Sequence, residues 1–233
     1  MYKWRALATD FDGTIAHDGV LDISVEKALL QLQEAGIHVI LVTGRELRDL
    51  TALKINLRIF HLVVAENGAV LYDPQTESHQ LLAPPPDPLL LGELRKLEVT
   101  PLSVGQCIIA TLEPHEVAVL ESIKNLGLEL SITFNKGWVM ILPPNINKAS
   151  GLAAALQHME LNAEDVVGVG DAENDHAFLR QCGLAVAVAN ALPALKQSAH
   201  VVTAGEAGQG VIELVDQMLS GKLDALPLPP PKI

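Results

Sequence analysis

The sequence predicts an α/β fold: a mostly parallel sheet covered by helices, carrying a small α+β insert of order αββαββ. Three observations carry this reading. Short apolar runs alternate with amphipathic stretches from the N-terminus to Ala83, and the same alternation resumes after residue 145. Between them, Pro84-Pro85-Pro86-Asp87-Pro88 and Pro143-Pro144 bracket a segment of different texture, because such proline runs continue neither a helix nor a central strand. Strands and helices alternating at this spacing imply βαβ units, with ligands bound at the carboxyl ends of the strands. The expected division is a core of residues 1–83 and 146–223, an insert of residues 84–145, and a proline-rich tail, 224–233.

Taken in order, residues 5–10 form an apolar run that ends on carboxylates and reads as a strand. The next stretch places Ile23, Ala28, Leu29, Leu32 and Ala35 on one helical face, with Gly36 just past its end. Residues 37–42 read as strand, 46–57 as helix and 61–65 as strand, then Asn67-Gly68 turns the chain into a hairpin-like 69–72. The insert reads as a helix (89–97), two strands parted by Gly105 (99–104 and 107–112), a helix (115–126), and two strands parted by Lys136-Gly137 (128–134 and 138–142). The core then resumes with helix 149–159, strand 166–169, helix 175–182, strand 184–188, helix 192–198, a short strand at Val201-Val202 and helix 210–223.

Composition bounds the function. At 233 residues the chain can bury a full core, and its two cysteines, Cys107 and Cys182, form no metal or redox motif, so a reduced compartment is expected. Apolar residues make up 49% and mean hydropathy is +0.28, which excludes a largely disordered chain. No run approaches the ~18 apolar residues of a membrane span. The first residues lack the apolar region of a signal peptide, so a soluble, cytoplasmic protein is expected. A formal charge of −12 without a basic stripe argues against nucleic acid as a partner.

The sharpest chemical signal is Asp10-Phe11-Asp12-Gly13-Thr14, directly after the first strand. Two carboxylates two residues apart on an extended strand end point the same way, which suits a nucleophile and a general acid at one reacting centre. Asp10 would attack phosphorus to form an aspartyl phosphate. Asp12 would protonate the leaving oxygen and then activate water. A second cluster, Gly170-Asp171-Ala172-Glu173-Asn174-Asp175, also follows an apolar strand, and hard oxygen ligands without paired His or Cys suit Mg²⁺ rather than zinc. If Asp10, Asp12, Asp171 and Asp175 converge as the metal-binding set, each pair ~4 Å apart repels by about 4 kcal/mol at an effective dielectric of ~20. Mg²⁺ and one lysine would bring the four carboxylates close to neutrality, and a phosphate dianion can then approach.

With these residues in view, the chain resembles haloacid-dehalogenase-like (HAD) phosphatases of the Cof-type branch, which carry a cap between their second and third motifs. The resemblance runs to about Leu223 and implies a Rossmann-like core under that cap. It implies that Thr43, in Val42-Thr43-Gly44-Arg45, hydrogen-bonds the transferring phosphoryl group, with Gly44 and Arg45 beside it on the substrate side. Asn147-Lys148 resembles the third motif, where Lys148 neutralises the phosphoryl group and Asp10. Gly170 to Asp175 is the fourth, making Asp171 a magnesium ligand and Asp175 its support, with Asn174 on the substrate side. Glu66-Asn67-Gly68 matches the family's turn facing the cap, so Asn67 is a further substrate-side residue. Ala149 and Ala189 stand where the family usually has glycine, which touches no catalytic side chain.

The expected function is therefore Mg²⁺-dependent hydrolysis of a small phosphorylated metabolite, a sugar phosphate or a phosphoglycolate-like acid. A phosphomutase using the same intermediate is the nearest alternative. A receiver-type signalling module or a non-catalytic phospho-ligand binder belongs to another class; the Asp10/Asp12 spacing and the insert argue against the first, and the presence of every chemical position against the second. Lys136-Gly137 reads as a solvated hairpin turn rather than a substrate anchor, and Gly168-Val169-Gly170 is not completed into a dinucleotide fingerprint.

Overall fold

The computed structural model describes residues 3–17 and 19–225. The chain runs β1 (Ala6–Thr9), β2 (Ala16–His17), β3 (Val20–Leu21), α1 (Ile23–Glu34), β4 (His38–Val42), α2 (Leu47–Ala52), β5 (Leu62–Ala65), β6 (Val70–Asp73) and β7 (Ser78–Leu81). It continues through α3 (Pro88–Lys96), β8 (Ser103–Val104), β9 (Ile109–Leu112), α4 (Glu116–Leu126), β10 (Ser131–Asn135) and β11 (Trp138–Leu142). It closes with α5 (Lys148–His158), β12 (Val166–Gly170), α6 (His176–Gln181), β13 (Leu184–Ala187), α7 (Pro193–Ser198), β14 (Val201–Val202) and α8 (Ala207–Leu219).

The main sheet has strand order β14-β13-β12-β1-β4-β5-β6-β7, parallel from β14 to β5 with an antiparallel edge at β6 and β7. The predicted α/β class is what forms. β1 is central because Ala6, Leu7, Ala8 and Thr9 are buried on both faces, in register with β12 on one side (Leu7 with Val167) and β4 on the other (Leu7 with Val39). Strand order reverses around β1, which opens a crevice at the carboxyl ends of β12, β1 and β4. Asp171, Asp10 and Thr43 are the residues immediately beyond those three ends.

Residues 88–142 build a second sheet, β10-β11-β9-β8, all antiparallel. Period two decides its packing: Ile109 and Ile141 join Leu90, Leu94, Val119 and Ile123 of α3 and α4, while Ala110, Met140 and Leu142 turn to the main core. Helix α5 starts where the sequence signals it, at a capping box in which Asn147 accepts from Ser150 N and Ser150 Oγ accepts from Asn147 N. It lies backbone to backbone on the 66–68 turn, because a Cβ on Gly68 would sit 2.0 Å from Asn147 O and one on Gly151 would sit 2.4 Å from Gly68 Cα.

The structure departs from the sequence expectation in several elements. The β2–β3 hairpin was not anticipated, being too short to show a period, and β7 is fully exposed and therefore lacks an apolar signature. The expected helix 46–57 stops at Ala52, since Asn56 caps a separate turn at Leu57–Ile59 by accepting from Arg58 N. The expected strand 99–104 shrinks to Ser103–Val104, with Val99 instead packed into the small core of α3 and α4. Helix α8 begins at Ala207 and ends before Gly221, whose φ of +72° suits a helix stop, and Lys222–Ala225 forms a further turn. Residues 226–233, most of the expected tail, lie outside the described residues.

Candidate active site

Lys148 is the pivot. It is the first residue of α5, only 1% exposed, and Nζ donates to Asp10 Oδ1 at 2.5 Å and to Asp175 Oδ1 at 2.6 Å. A fully buried ammonium is stable only when paired, and here two carboxylates share it. Burial works against its charge, but Asp10 and Asp175 overcome that and hold its pKa above the ordinary lysine value. The other oxygen of Asp175 accepts the backbone N–H groups of Asp171 (2.8 Å) and Ala172 (2.9 Å), so Asp175 is engaged on both sides and fixes the loop after β12.

Asp10, Asp171 and Asp175 converge, one carboxylate oxygen from each lying within 4.8 Å of the others. Burial first, and then the charge of Asp175, push the Asp10 carboxyl up to about 7 despite Lys148. Asp171 is raised as well, chiefly by burial, against the pull of Lys136. The buried hydroxyl of Thr14 lies 3.1 Å from Asp171 Oδ1 and 3.3 Å from Asp10 Oδ2, tying the first and fourth motifs together.

Asp12 stands apart from the other three expected metal residues by its side chain, not by its main chain. Its carboxylate lies outside the converging three and is held bidentately by Arg45, with Nε and Nη2 each at 2.6 Å, a fork-to-fork pairing that fixes its plane. What Asp12 offers toward Asp171 is its main-chain carbonyl. Arg45, expected on the substrate side, is committed to Asp12 and stacks over the Phe11 ring at 5.3 Å. Thr43 is buried, its Oγ1 accepting from Arg45 N at 3.1 Å, and its carbonyl accepts from Asn67 N at 3.0 Å. Gly44 packs under Asn67 and Met140 so closely that a Cβ would sit 3.3 Å from both.

Asn67 and Asn174, both expected on the substrate side, meet each other. Asn174 Nδ2 donates to Asn67 Oδ1 at 2.9 Å, Asn67 Nδ2 donates to Met140 Sδ, and the buried Oδ1 of Asn174 has no partner among the described residues. Both line a cavity of about 270 Å³, together with Lys148, Arg180 and, from the second sheet, Thr133 and Leu142.

Lys136 was missed. The tip of the β10–β11 hairpin places its ammonium 2.8 Å from Asp171 Oδ2 and 3.0 Å from the Asp12 carbonyl. Its pKa is raised: the Asp171 hydrogen bond and charge outweigh partial burial. A Lys-Gly hairpin carries no local signal of its target, since only the tertiary approach of two sheets supplies the partner. Glu66 was also missed, and its buried carboxylate accepts Gln106 N (3.0 Å) and Cys107 N (2.9 Å), fastening the second sheet to the core.

The residues fit a divalent cation. Asp10 and Asp171 carboxylates and the Asp12 carbonyl are hard oxygen donors, and the Lys136 ammonium already rests as a cation on two of them. A Cβ on Gly13 would come within 2.5 Å of Asp171 Oδ2 and 2.6 Å of Lys136 Nζ, so the space for a cation exists because residue 13 is glycine.

A family model described as haloacid dehalogenase-like hydrolase matches residues 7–84 and 100–215. The phosphoglycolate phosphatase of Methanothermobacter thermautotrophicus is 35% identical over 92% of this chain and 99% of its own. Phosphoglycolate phosphatase 1 of Saccharolobus solfataricus is 28% identical over 95% and 99%. In fold, a haloacid dehalogenase-like hydrolase from Bacteroides thetaiotaomicron superposes with a TM-score of 0.79 at 18% identity, covering 92% of this chain and 99% of that one. One from B. subtilis gives 0.68 at 19% identity, covering 91% and 99%. With the motif residues gathered at the carboxyl ends of β1, β4 and β12, the chain belongs to the haloacid dehalogenase-like hydrolase family and is a phosphatase of that family.

Proposed function

We propose that this phosphatase hydrolyses a small phosphorylated acid of the phosphoglycolate kind through an aspartyl phosphate on Asp10, with a divalent cation, Mg²⁺, as cofactor. The observation that carries the reading is the buried Lys148 bridge: it holds Asp10 by one oxygen at the end of the central strand and leaves the other directed past Thr14. That oxygen, which accepts only the long Thr14 hydrogen bond among the described residues, attacks phosphorus, and the bond to the leaving oxygen breaks as the bond to Asp10 forms. Asp12, oriented by Arg45, gives the leaving oxygen its proton and later takes one from the water that cleaves the acyl phosphate. The Thr43 hydroxyl and Lys148 bind the phosphoryl oxygens. Asp10, Asp171 and the Asp12 carbonyl would hold the cation, which when bound supplies charge neutralisation and orients the phosphoryl group. Asp175 acts one step back, positioning Lys148 and the Asp171 loop.

Substrate size follows from the lid. We assign residues 84–145 as a cap that, fastened by Glu66, borders an open cavity of about 270 Å³ beside Lys148, a size that supports a small metabolite rather than a macromolecule. The names of the relatives support phosphoglycolate within that class. Among the described residues no helix is long and apolar enough to cross a membrane, and both cysteines are free and buried, which supports work on dissolved substrates in the cytoplasm.

The test is phosphate release from 2-phosphoglycolate, sugar phosphates and nitrophenyl phosphate, with Mg²⁺ and with chelator. Wild type should turn over in Mg²⁺ only, and Asp10→Asn should lose essentially all turnover while keeping its circular dichroism. Asp10→Asn activity within tenfold of wild type, or full activity in chelator, would overturn the reading.

A further inference from the structure

We propose that Lys136 and the divalent cation are alternative occupants of one site, so that the metal must evict the hairpin lysine from the Asp12 and Asp171 loops. The inference rests on the cation reading above and goes beyond it, because it assigns a role to a side chain outside the four motifs. The Lys136 ammonium sits 2.8 Å from Asp171 Oδ2 and 3.0 Å from the Asp12 carbonyl, two of the oxygens a cation would use. It occupies the space that exists only because residue 13 lacks a Cβ, 2.6 Å from where that atom would be. An ammonium and a metal ion cannot both stand there.

Charge argues the same way. Asp10, Asp12, Asp171 and Asp175 face Lys148, Arg45 and Lys136, so the lysine at the tip supplies the last positive charge of the cluster. A divalent ion in its place supplies more charge to the same oxygens and removes the reason for the lysine to stay. The hairpin is built to present that residue: Lys136 and Gly137 have φ of +49° and +83°, the two-residue turn that reverses a strand pair most tightly. The side chain is 46% exposed, so it can leave toward solvent without unpacking the core. Its release removes the hydrogen bonds that Lys136 makes to the Asp12 and Asp171 loops, and leaves a cation free above the carboxylates where an anionic substrate enters.

The experiment is Mg²⁺ titration calorimetry on the full chain without substrate, comparing wild type with Lys136→Met. Lys96→Met serves as the control, since that exposed lysine of α3 removes the same charge away from the site. Loss of the competitor should tighten Mg²⁺ binding about five- to tenfold in Lys136→Met and leave Lys96→Met within twofold of wild type. In parallel, acetylation of Lys136 in the wild type, read by mass spectrometry, should rise severalfold when Mg²⁺ is added. Equal affinities for wild type and Lys136→Met, weaker binding in Lys136→Met, an equal gain in Lys96→Met, or metal-independent acetylation would each overturn the exchange while leaving the cation reading intact. Absence of Mg²⁺ binding in every folded form would overturn both.

Discussion

Replacing Gly13 by alanine separates backbone strain from loss of the cation space. Gly13 has φ of +86°, and its Cβ would stand 2.5 Å from Asp171 Oδ2 and 2.6 Å from Lys136 Nζ. A non-glycine residue at such a φ costs about 1–2 kcal/mol. Gly36, just past α1, has φ of +78° with nothing within 4 Å of its Cβ, so Gly36→Ala carries the strain alone. In Gly13→Ala a second term appears, because Asp171 is buried and already held by Thr14 and the backbone around it cannot yield cheaply. Overpacking of this kind costs roughly 1–3 kcal/mol. At about 2–4 °C per kcal/mol for a chain of this size, Gly36→Ala should lower Tm by about 2–8 °C and Gly13→Ala by several degrees more. Mg²⁺ should raise the Tm of wild type and Gly36→Ala but not of Gly13→Ala, whose methyl group fills the cation space. Calorimetric melting with and without Mg²⁺ reads both effects. Equal Tm losses together with an undiminished Mg²⁺ shift in Gly13→Ala would refute the reasoning.

Three other outcomes are expected. Asp12→Asn should lose about 10²–10⁴-fold on phosphoglycolate or a sugar phosphate but far less on nitrophenyl phosphate, whose phenolate leaves without a proton; parallel losses on both would remove Asp12 from the leaving-group role. Lys148→Met should destabilise the apo protein by about 3–5 kcal/mol, since it strands the buried Asp10 and Asp175 carboxylates, and the added change Asp175→Leu should recover part of that; a larger loss in the double variant would show that the ion pair is not the source. His38 and His61 stack edge to face, and burial lowers both pKa values; the folded state therefore binds fewer protons than the unfolded one, and the stability they add is present above pH ~6.5 and falls as the pH drops below it. His61 Nδ1 accepts from Val39 N at 3.1 Å, a bond that protonation breaks, so the fall in Tm between pH 7 and 5.5 should be shallower in His61→Gln, and an identical slope would place the acid sensitivity elsewhere.

The core was legible because its signals are local. A strand buried on both faces shows as an unbroken apolar run, and the residues after β1, β4 and β12 inherit their position at the site from topology alone, so Asp10, Thr43 and Asp171 could be placed before any coordinates. What was not legible depends on partners distant in sequence. Alternation on a strand aims Asp12 with Asp10 as a second reacting carboxylate, yet the chain leaves strand geometry at Thr9, and Arg45, 33 residues on, sets where that carboxylate goes. Lys136 read as a solvated turn because its own neighbours give it nothing to bind; its partners are 35 and 124 residues away, in the loops beyond β12 and β1. Glu66 shows no motif chemistry, because the groups it satisfies are backbone N–H atoms, which every sequence has.

These misses share a cause with the chemistry. A cluster of acidic groups that must accept a phosphate dianion cannot be neutralised by fixed cations alone, since a permanent pairing of all its oxygens would leave none for metal or substrate. The chain divides the task by burial. Lys148, 1% exposed and anchored by the close Gly68–Gly151 approach, is the fixed charge, and nothing in the packing lets it leave. Arg45 is half-buried and holds the Asp12 carboxylate out of the cluster in a fixed plane. Lys136, on a hairpin tip and nearly half exposed, is the replaceable one. The more exchangeable a charge must be, the farther from the core the fold places it, and the less its local sequence reveals about its target; the cap hairpin is therefore where changes in sequence should alter metal and substrate response while leaving the buried Asp10–Lys148–Asp175 set in place.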